Sequence, residues 1–237
     1  MISVCMTTYN GERFVEAQLR SILSELDEND EIIITDDCSN DKTVEIIRSI
    51  NDRRVKLTVN DVNLGYIENF KKSISLATGK YVFLSDQDDI WPKGRVSLML
   101  DELRNSQKSL IVGNMMVFTE NSSQMHPFFM QQKRKNNRHY LRNFGRMLIG
   151  GIPYFGCCML LDDKLKELFL KNFDKGISHD IQLAILANKN NIIYHIEDVV
   201  TFRREHDFNV TKSNRRFSQK LFTRLIWLKA MVRNYDK

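Results

Sequence analysis

Short apolar runs and amphipathic stretches alternate along the first hundred residues of the chain. The apolar, partly β-branched runs predict strands at Ile2–Met6, Glu31–Thr35, Val55–Val59 and Tyr81–Ser85. Between them, apolar positions recur at helical spacing and predict helices at about 14–26, 39–50 and 67–77. Strands that are apolar throughout, rather than at every second position, are typical of a parallel sheet buried on both faces. The chain is therefore predicted to have an α/β fold, with helices on both faces of a mostly parallel central sheet.

The pattern becomes less regular after Trp91-Pro92. Residues 120–143 are polar and basic, and they are predicted to form a mobile loop. The elements predicted around this loop are a helix at Arg95–Leu103, strands at Leu110–Phe118, Phe155–Leu161 and Ile192–Ile196, and helices at Asp163–Asn172 and Asp180–Asn188. No internal repeat or low-complexity linker interrupts them.

Composition limits the class of protein. The 237 residues are 42% hydrophobic and 27% charged, which is enough to bury the core of one domain. No run approaches the roughly 18 apolar residues that cross a bilayer. No basic-then-apolar leader precedes the first strand, so we expect neither export nor a membrane-spanning helix. The four cysteines, Cys5, Cys38, Cys157 and Cys158, form no C-x-x-C pair, which favours reduced thiols in the cytoplasm.

The net charge of +5 is unevenly distributed along the chain. Residues 203–237 contain ten Lys and Arg but three acidic residues, and a second basic stretch, residues 122–161, contains no acid. Near the C-terminus one helical stripe is apolar and flanked by basic residues, with Trp227 near its polar edge; it consists of Phe217, Leu221, Leu225, Leu228 and Val232. Residues 213–237 are therefore predicted to form a basic amphipathic helix that binds an anionic membrane surface. The alternative is a terminal helix that packs on the core with a solvated basic face.

Polar clusters follow three of the predicted strands. They are Thr7-Thr8-Tyr9-Asn10, Asp36-Asp37 and Asp86-Gln87-Asp88-Asp89. Because ligands of a parallel sheet bind at the carboxyl ends of its strands, we expect these clusters to converge in one crevice. Three carboxylates within four residues repel one another unless a cation lies between them, and Mg²⁺ or Mn²⁺ prefers such oxygen ligands. The last cluster is therefore a candidate metal site that holds a diphosphate; the alternative is a solvated acidic turn.

The sequence lacks the glycine-rich phosphate loops of other nucleotide-binding folds. No G-x-G-x-x-G follows the first strand, and no G-x-x-x-x-G-K-[ST] occurs. A nucleotide bound here needs another group to neutralise its phosphates, and a metal on Asp86 and Asp88 would supply it. Asp37 ends the second strand, where a carboxylate can accept hydrogen bonds from ribose hydroxyls or from a base N–H.

Taken together, these motifs resemble those of the inverting glycosyltransferases of family 2, which have the GT-A fold. Thr7-Thr8-Tyr9-Asn10 is similar to the family's TYN segment, Thr35–Ser39 to its VDDGS segment, and Leu84–Asp89 to its D-x-D loop. Further matches, which extend the likeness to about residue 210, are Asn63-Leu64-Gly65 (NxG), Gly156-Cys157, His179-Asp180, and Phe202–His206 with Asn209. His-Asp in place of Glu-Asp resembles a subgroup of rhamnosyltransferases, whereas Cys38 replaces the usual glycine of the second motif.

The resemblance implies a role for individual residues. The donor nucleotide would be bound by Thr7, Tyr9, Asp37, Asn63, Asp86 and Asp88. Asp180 would be the base that takes the proton of the acceptor hydroxyl, and it opens a helix whose dipole favours the ionised carboxylate. Its alternative role is that of a helix N-cap. The acceptor side would include Trp91, Gly156, Cys157 and His179.

Three further side chains follow the last predicted strand. His206 is a candidate third ligand, after Asp86 and Asp88, for Mn²⁺ or Mg²⁺, or a phosphate contact; the alternative is a merely exposed histidine. The planar guanidinium groups of Arg203 and Arg204 suit phosphate. The alternative is that these two arginines begin the basic tail.

The predicted function is transfer of a sugar, with inversion, from a nucleotide-diphosphate donor to a lipid-linked saccharide acceptor in cell-surface polysaccharide synthesis. Rhamnose on thymidine diphosphate is the first donor, followed by galactose, glucose or N-acetylhexosamine on uridine diphosphate. Residues 1–105 would form the nucleotide-binding half and residues 106–212 the acceptor half of a domain that ends at residue 212. The enzyme would be cytoplasmic and peripheral at the inner face of the plasma membrane.

Two other functions are less consistent with the sequence. A nucleotidyltransferase that makes a nucleotide sugar would need a glycine- and lysine-bearing loop after the first strand, and Asn10–Arg13 offers little of this kind. A non-enzymatic nucleic-acid binder would use the basic tail and its aromatic residues. Because the rest of the chain is slightly acidic and carries no recognised binding motif, we expect no nucleic-acid partner.

Overall fold

The computed structural model describes residues 1–119, 122–206 and 217–233. The strands are β1 (Ile2–Thr8), β2 (Glu31–Asp36), β3 (Val55–Val59), β4 (Tyr81–Ser85), β5 (Leu110–Thr119), β6 (Ser122–Pro127), β7 (Met159–Asp162) and β8 (Ile193–Glu205). The helices are α1 (Val15–Leu23), α2 (Thr43–Ser49), α3 (Tyr66–Leu76), α4 (Arg95–Ser106), α5 (Tyr140–Leu148), α6 (Asp163–Lys171), α7 (His179–Lys189) and α8 (Phe217–Val232). Two short 3-10 helices lie at Arg134–Arg138 and Gly156–Cys158.

The strands form one sheet in the order β3-β2-β1-β4-β7-β5-β6. Strand β8 lies outside this order and also pairs with β5. The pairs β1–β2, β1–β4 and β2–β3 are parallel. Beyond β4 the sheet is mixed, because β7 runs antiparallel to β4 and β5, whereas β8 runs parallel to β5. The first four strands therefore form the predicted parallel block, with the carboxyl ends of β1, β2 and β4 at one edge.

Helices cover both faces of the sheet, as predicted. Successive side chains of a strand point to opposite faces, so neighbouring residues enter different cores. Cys5 and Leu84 lie in the core with α3, α6 and α7, whereas Met6 and Phe83 lie in the core with α1, α2 and α4. This burial on both faces explains why the strands of the parallel block are continuously apolar in sequence.

The prediction of a mobile loop at residues 120–143 is wrong for the residues described there. They form β6, the 3-10 helix Arg134–Arg138 and the start of α5. Polar side chains hold this segment: Asn114 Oδ1 accepts from the Gln132 amide at 2.5 Å, and Asn137 Oδ1 accepts from the His195 amide at 2.6 Å. Phe128 packs against the core, but most of the described contacts of this segment are hydrogen bonds and strand pairing, so its sequence has no hydrophobic period.

Two strand boundaries also differ from the prediction. The strand expected at Phe155–Leu161 begins only at Met159, because Gly156–Cys158 form a 3-10 helix. β8 continues past the expected end at Ile196 to Glu205, because its second half pairs with the second half of β5. This extension carries Arg203, Arg204 and His206 to the region of the predicted site.

Helix α8 packs on the core with one side and exposes apolar side chains on another. Ile226, Trp227, Ala230 and Met231 pack against the core of α3, α6 and α7. Trp227 is only partly buried, and the guanidinium of Arg224 lies 4.1 Å from its ring centroid, which agrees with the predicted position near the polar edge. Leu225, Leu228 and Val232 of the predicted stripe are exposed. Residues 213–216 and 234–237 of the predicted helix lie outside the described residues, as does Asn209. Within the described ranges, no helix has the length and hydropathy needed to cross a membrane.

Candidate functional site

A backbone bridge brings the D-x-D loop and the end of β8 together. The amide of Ile90 donates to the carbonyl of Phe202 at 2.9 Å, and the amide of Phe202 donates back to Ile90 at 2.9 Å. The Arg204 amide also donates to Asp89 Oδ1 at 3.3 Å. The acidic loop at the carboxyl end of β4 therefore lies directly beside the basic end of β8.

Asp88 and His206 form a close pair in this crevice. His206 Nε2 lies 2.9 Å from Asp88 Oδ2, and the side chains are 6% and 16% exposed. The imidazole stacks on the ring of Phe14, with 4.4 Å between ring centroids, which fixes its orientation. His206 is therefore not a merely exposed histidine: it lies, as predicted for a metal ligand, next to a carboxylate of the D-x-D loop.

The other two aspartates of the loop face Cys157. One potential ligand atom from each of Asp86, Asp89 and Cys157 lies within 4.8 Å of the others. Burial and the charge of Asp88 raise the pKa of Asp86 to about 7, and burial and the charge of Asp86 raise the pKa of Asp89 well above its ordinary value. Asp89 Oδ2 is buried without a hydrogen-bond partner among the described residues. Such crowding of carboxyl groups away from water favours a bound cation.

Arg203 and Arg204 belong to the crevice and do not begin the tail. Burial lowers the pKa of Arg203, but the facing Cys157, Asp89 and Asp86 raise it by more, so the guanidinium stays charged. The guanidinium of Arg204 donates through Nε to the carbonyl of Asp88 at 3.2 Å. Two cations thus stand beside the acidic loop, where they can contact a phosphate group.

Gln87 ties the D-x-D loop to the end of β1. Its Oε1 accepts from the Tyr9 amide at 2.9 Å, and its Nε2 donates to the Tyr9 carbonyl at 3.0 Å. Gly11 allows this approach, because a Cβ at Gly11 would lie 2.2 Å from Gln87 Oε1. The Tyr9 side chain remains 47% exposed and can be reached by a base. Thr7 pairs with Thr35 near the carboxyl ends of β1 and β2, at the same edge of the sheet. Sequence reasoning did not single out Gln87.

Asp37 orders the loop between β3 and α3. Its Oδ1 accepts from the amide of Leu64 at 2.7 Å and from Asn60 Nδ2 at 2.9 Å, and its Oδ2 accepts from the amide of Gly65 at 2.9 Å. Asn63 donates from Nδ2 to the backbone carbonyl of Asp37 at 3.1 Å. The structure therefore brings Asp37 and Asn63 together, as the motifs suggest, and adds Asn60, which sequence reasoning missed.

Asp180 and His179 begin α7 on the other side of the acidic loop. The helix N-cap is Ser178, so Asp180 is not the N-cap but lies in the first turn. Burial and the charge of Asp88 are the main causes of the raised pKa of Asp86, and the charge of Asp180 adds to them, so Asp180 is near enough to interact with this carboxyl group. His179 is 5% exposed and stacks on Phe70 at 3.8 Å between centroids, and burial lowers its pKa. Its ring nitrogens have no hydrogen-bond partner among the described residues.

Gly156 and Cys157 lie between this helix and the acidic loop. A Cβ at Gly156 would lie 2.6 Å from His179 Nε2, so glycine is required for the ring to sit there. The carbonyl of Cys157 accepts from Arg95 at 2.8 Å and from Thr201 Oγ1 at 2.7 Å. The predicted acceptor-side residues Gly156, Cys157 and His179 are therefore brought together.

Arg95 and Trp91 support the site from beneath. Arg95 is 1% exposed and donates to Val200 O and Thr201 Oγ1, both at 2.7 Å, in addition to Cys157. Its guanidinium lies 4.0 Å from the centroid of the Trp91 ring, which is itself buried. Trp91 is thus placed in the core below the crevice. Sequence reasoning did not identify Arg95 as a residue that supports the site, because in sequence it is only the first residue of a helix.

A parallel block of four strands with an acidic loop at its carboxyl edge, continued by a mixed sheet, is the arrangement expected for the GT-A fold. Residues 3–169 match the family described as Glycosyl transferase family 2, so the chain belongs to this family. The solved structure of S. aureus TarS 1-349 in complex with UDP-GlcNAc superposes with a TM-score of 0.76 and 17% identity, over 100% of this chain and 67% of that one. The predicted fold and family are confirmed.

The curated relatives are named as glycosyltransferases. The chain is 27% identical over 191 residues to the Escherichia coli UDP-Glc:alpha-D-GlcNAc-diphosphoundecaprenol beta-1,3-glucosyltransferase WfgD, covering 80% of this chain and 71% of the relative. It is 28% identical to the dTDP-rhamnosyl transferase RfbG of Shigella flexneri, over 91% of this chain and 76% of the relative. It is 33% identical to the putative colanic acid biosynthesis glycosyl transferase WcaA of Escherichia coli, over 42% of this chain and 37% of that relative. The chain thus spans little more than a third of WcaA.

Proposed function

We propose that the protein transfers a sugar, with inversion at the anomeric carbon, from a nucleotide-diphosphate donor to a saccharide acceptor of a cell-surface polysaccharide. The observation that carries this proposal is the Asp88–His206 pair in the acidic loop that contains Asp86, in a chain of glycosyl transferase family 2. Residues 1–105 bind the nucleotide and residues 106–212 the acceptor.

Rhamnose on thymidine diphosphate is the proposed donor, because the alignment with the dTDP-rhamnosyl transferase covers 91% of this chain. Glucose on uridine diphosphate is the second candidate, since the WfgD alignment covers 80%. The name of WfgD describes an acceptor on diphosphoundecaprenol. By analogy we propose a lipid-linked acceptor, which places the reaction at the inner face of the plasma membrane with α8 as a membrane-binding element.

The donor nucleotide lies along the carboxyl edge of β1, β2 and β4. Tyr9, with its exposed ring, contacts the base, and Thr7 of the same strand end contributes to the nucleotide site. Asp37 and Asn63 keep the β3–α3 loop in the shape that receives base and ribose. Asp86 and Asp88 bind the ribose and the diphosphate region. This assignment is supported by the convergence of the three strand ends, and it needs no glycine-rich loop.

The residues present fit a divalent metal. His206 Nε2 and Asp88 Oδ2 lie 2.9 Å apart and share a hydrogen bond, and both are atoms that could bind a divalent cation. The carboxylate and imidazole donors suit Mn²⁺ or Mg²⁺. Asp88, Asp86 and His206 would hold the ion, whereas the three ligand atoms that the described residues bring within 4.8 Å of one another belong to Asp86, Asp89 and Cys157. A bound ion would supply positive charge for the departing diphosphate.

The protein's own groups account for the displacement. The acceptor oxygen attacks the anomeric carbon from the side opposite the diphosphate, and its proton passes to a carboxylate oxygen of Asp180. The bond between the anomeric carbon and the diphosphate oxygen breaks, and the electron pair leaves with the nucleoside diphosphate. Arg203 and Arg204 lie beside the acidic loop, where they stabilise the leaving group. The neutral, buried His179 fixes the start of α7 and so the position of Asp180.

The test is turnover of a panel of nucleotide sugars with Mn²⁺, with the native chain compared with Asp88→Ala, Asp180→Asn and the exposed control Asp101→Asn. We expect one donor to be turned over by the native chain and by the control. Both site variants should lose at least about 100-fold in kcat/KM, while Asp180→Asn keeps donor affinity measured by calorimetry. Undiminished turnover by Asp180→Asn would refute the assigned base, and a native chain that binds no nucleotide sugar would refute the function.

A further inference from the structure

Helices α5 and α8 both expose large apolar side chains to solvent. On α5 and the residue after it, Leu141 is 70% and Ile149 82% exposed. On α8, Phe222 is 65% and Val232 73% exposed, and Leu225 and Leu228 are about half exposed. Such side chains are unfavourable in water unless a partner covers them.

The exposed residues of each element form a stripe. Leu141, Gly145 and Ile149 follow one another at four-residue spacing, and Phe222, Leu225, Leu228 and Val232 at spacings of three and four, so each set shares one side of its helix. Other residues of the same helices already pack on the protein. Phe144 and Leu148 of α5, and Ile226 and Trp227 of α8, pack against one common core. The exposed stripes are therefore a second apolar face on helices that are held in place by the first.

The two stripes adjoin each other. Helices α5 and α8 are in contact, and a guanidinium nitrogen of Arg224 lies 3.3 Å from the Cβ position of Gly150, the residue that follows Ile149. The end of the α5 stripe therefore lies beside the middle of α8. We call the exposed residues of both helices, Leu141, Ile149, Phe222, Leu225, Leu228 and Val232, the two-helix surface.

The charge around the two-helix surface is of one sign along both segments. Neither residues 122–161 nor residues 217–233 contain an acidic residue. Exposed cations flank the apolar stripes, namely Arg142, Lys229 and Arg233. From the neighbouring loop before α7, Asp174 faces Arg233 at 3.8 Å and neutralises part of this charge. An apolar stripe between cations is complementary to a bilayer interface that contains anionic headgroups.

We propose that α5 and α8 together form one docking surface for an anionic lipid bilayer. Sequence reasoning placed membrane binding on the C-terminal helix alone. The structure adds α5, whose first four residues, 140–143, were expected to belong to a loop. The proposal deepens the proposed function, because a docked enzyme meets a lipid-linked acceptor. Lipid binding itself requires no catalysis, so an experiment can refute the docking surface without refuting the proposed function, and the reverse.

The experiment is cosedimentation of the full chain with vesicles of phosphatidylcholine, with or without phosphatidylglycerol. The variants are Ile149→Glu on the α5 side, Leu225→Glu on α8, and the matched control Leu76→Glu on α3, which also replaces an exposed apolar residue. We expect the native chain and the control to bind the anionic vesicles. Each of the two surface variants should bind them at least about tenfold more weakly, with an unchanged circular dichroism spectrum and unchanged turnover of nucleotide sugar in solution.

Three results would overturn the proposal. If Leu225→Glu releases the protein and Ile149→Glu does not, α8 binds alone and the two-helix surface is wrong. If neither variant affects vesicle binding but both abolish a dimer seen by light scattering, a second copy covers the surface. If the native chain binds neutral and anionic vesicles equally, the charge argument fails. Vesicle binding by a chain that turns over no nucleotide sugar would leave docking intact and refute the proposed function instead.

Discussion

His206 Nε2 lies 2.9 Å from Asp88 Oδ2, although 118 positions separate the two residues in the chain. The contact exists because β8 extends along β5 and is bridged to the D-x-D loop through Ile90 and Phe202. An aspartate at the end of β4 and a histidine at the end of β8 thereby become neighbours. The geometry makes this pair the centre of the proposed metal site.

Replacing His206 should weaken metal binding more than it affects the fold. In His206→Ala one of three proposed ligands is lost, and we expect the affinity for Mn²⁺ to fall about 10- to 100-fold, by analogy with losses measured at other metal sites. Isothermal titration calorimetry with Mn²⁺ measures this directly. The control is His126→Ala, which removes an exposed histidine of β6. Equal Mn²⁺ affinity in His206→Ala and the native chain would contradict the assignment.

A methyl group at position 156 should impair catalysis through His179. Because the new Cβ of Gly156→Ala would lie 2.6 Å from His179 Nε2, the ring must move and carry Asp180 with it. We expect kcat to fall at least about tenfold, with little change in KM for the donor. Gly145→Ala, whose Cβ enters open space, is the control. Partial recovery of kcat in the double variant Gly156→Ala/His179→Ala would separate this clash from general damage, and a fully active Gly156→Ala would refute it.

Arg95→Lys should destabilise the protein although the charge is kept. An ammonium group cannot reproduce the planar set of bonds to Val200, Thr201 and Cys157 or lie flat against Trp91. We expect the free energy of unfolding to fall by about 2–4 kcal/mol, since buried acceptors lose their donors. Urea denaturation measures the change, and the exposed Arg104→Lys should leave it within about 0.5 kcal/mol. A loss of similar size in both variants would argue against this role.

Glu31 should make stability depend on acidic pH. Burial alone would raise its pKa, but bonds from Lys56, Ser3 and Thr78 lower it from 4.5 to about 2. A folded-state pKa below the ordinary value gives stabilisation that is complete above pH 4.5 and is lost as the pH falls towards 2.

At neutral pH we therefore expect the free energy of unfolding of Glu31→Gln to be about 2 kcal/mol lower than that of the native chain. The difference should narrow below about pH 4. Urea denaturation at a series of pH values measures it, with the exposed Glu28→Gln as the control. A difference between native chain and Glu31→Gln that stays constant down to pH 2 would contradict the linkage.

Local pattern was enough to predict much of the molecule. The first four strands and the helices between them are confirmed to within a few residues, because continuous apolar runs and helical spacing report burial directly. The polar clusters at the ends of β1, β2 and β4 were also predictable to converge, since parallel strands end at one edge. The structure of the segment before α5 was not predictable, because the hydrogen bonds that Asn114 Oδ1 and Asn137 Oδ1 accept leave no period in the sequence.

The sequence alone specifies the α/β class, the acidic loop and the motifs of the family, because each depends on residues that are neighbours in the chain. The pairing of Asp88 with His206, the packing of His179 against Gly156 and the bonds of Arg95 depend on contacts between residues far apart in sequence. The same holds for the adjoining stripes of α5 and α8. Long-range contacts of this kind are set by how the sheet and its helices pack, so these relationships emerge only once the chain has folded.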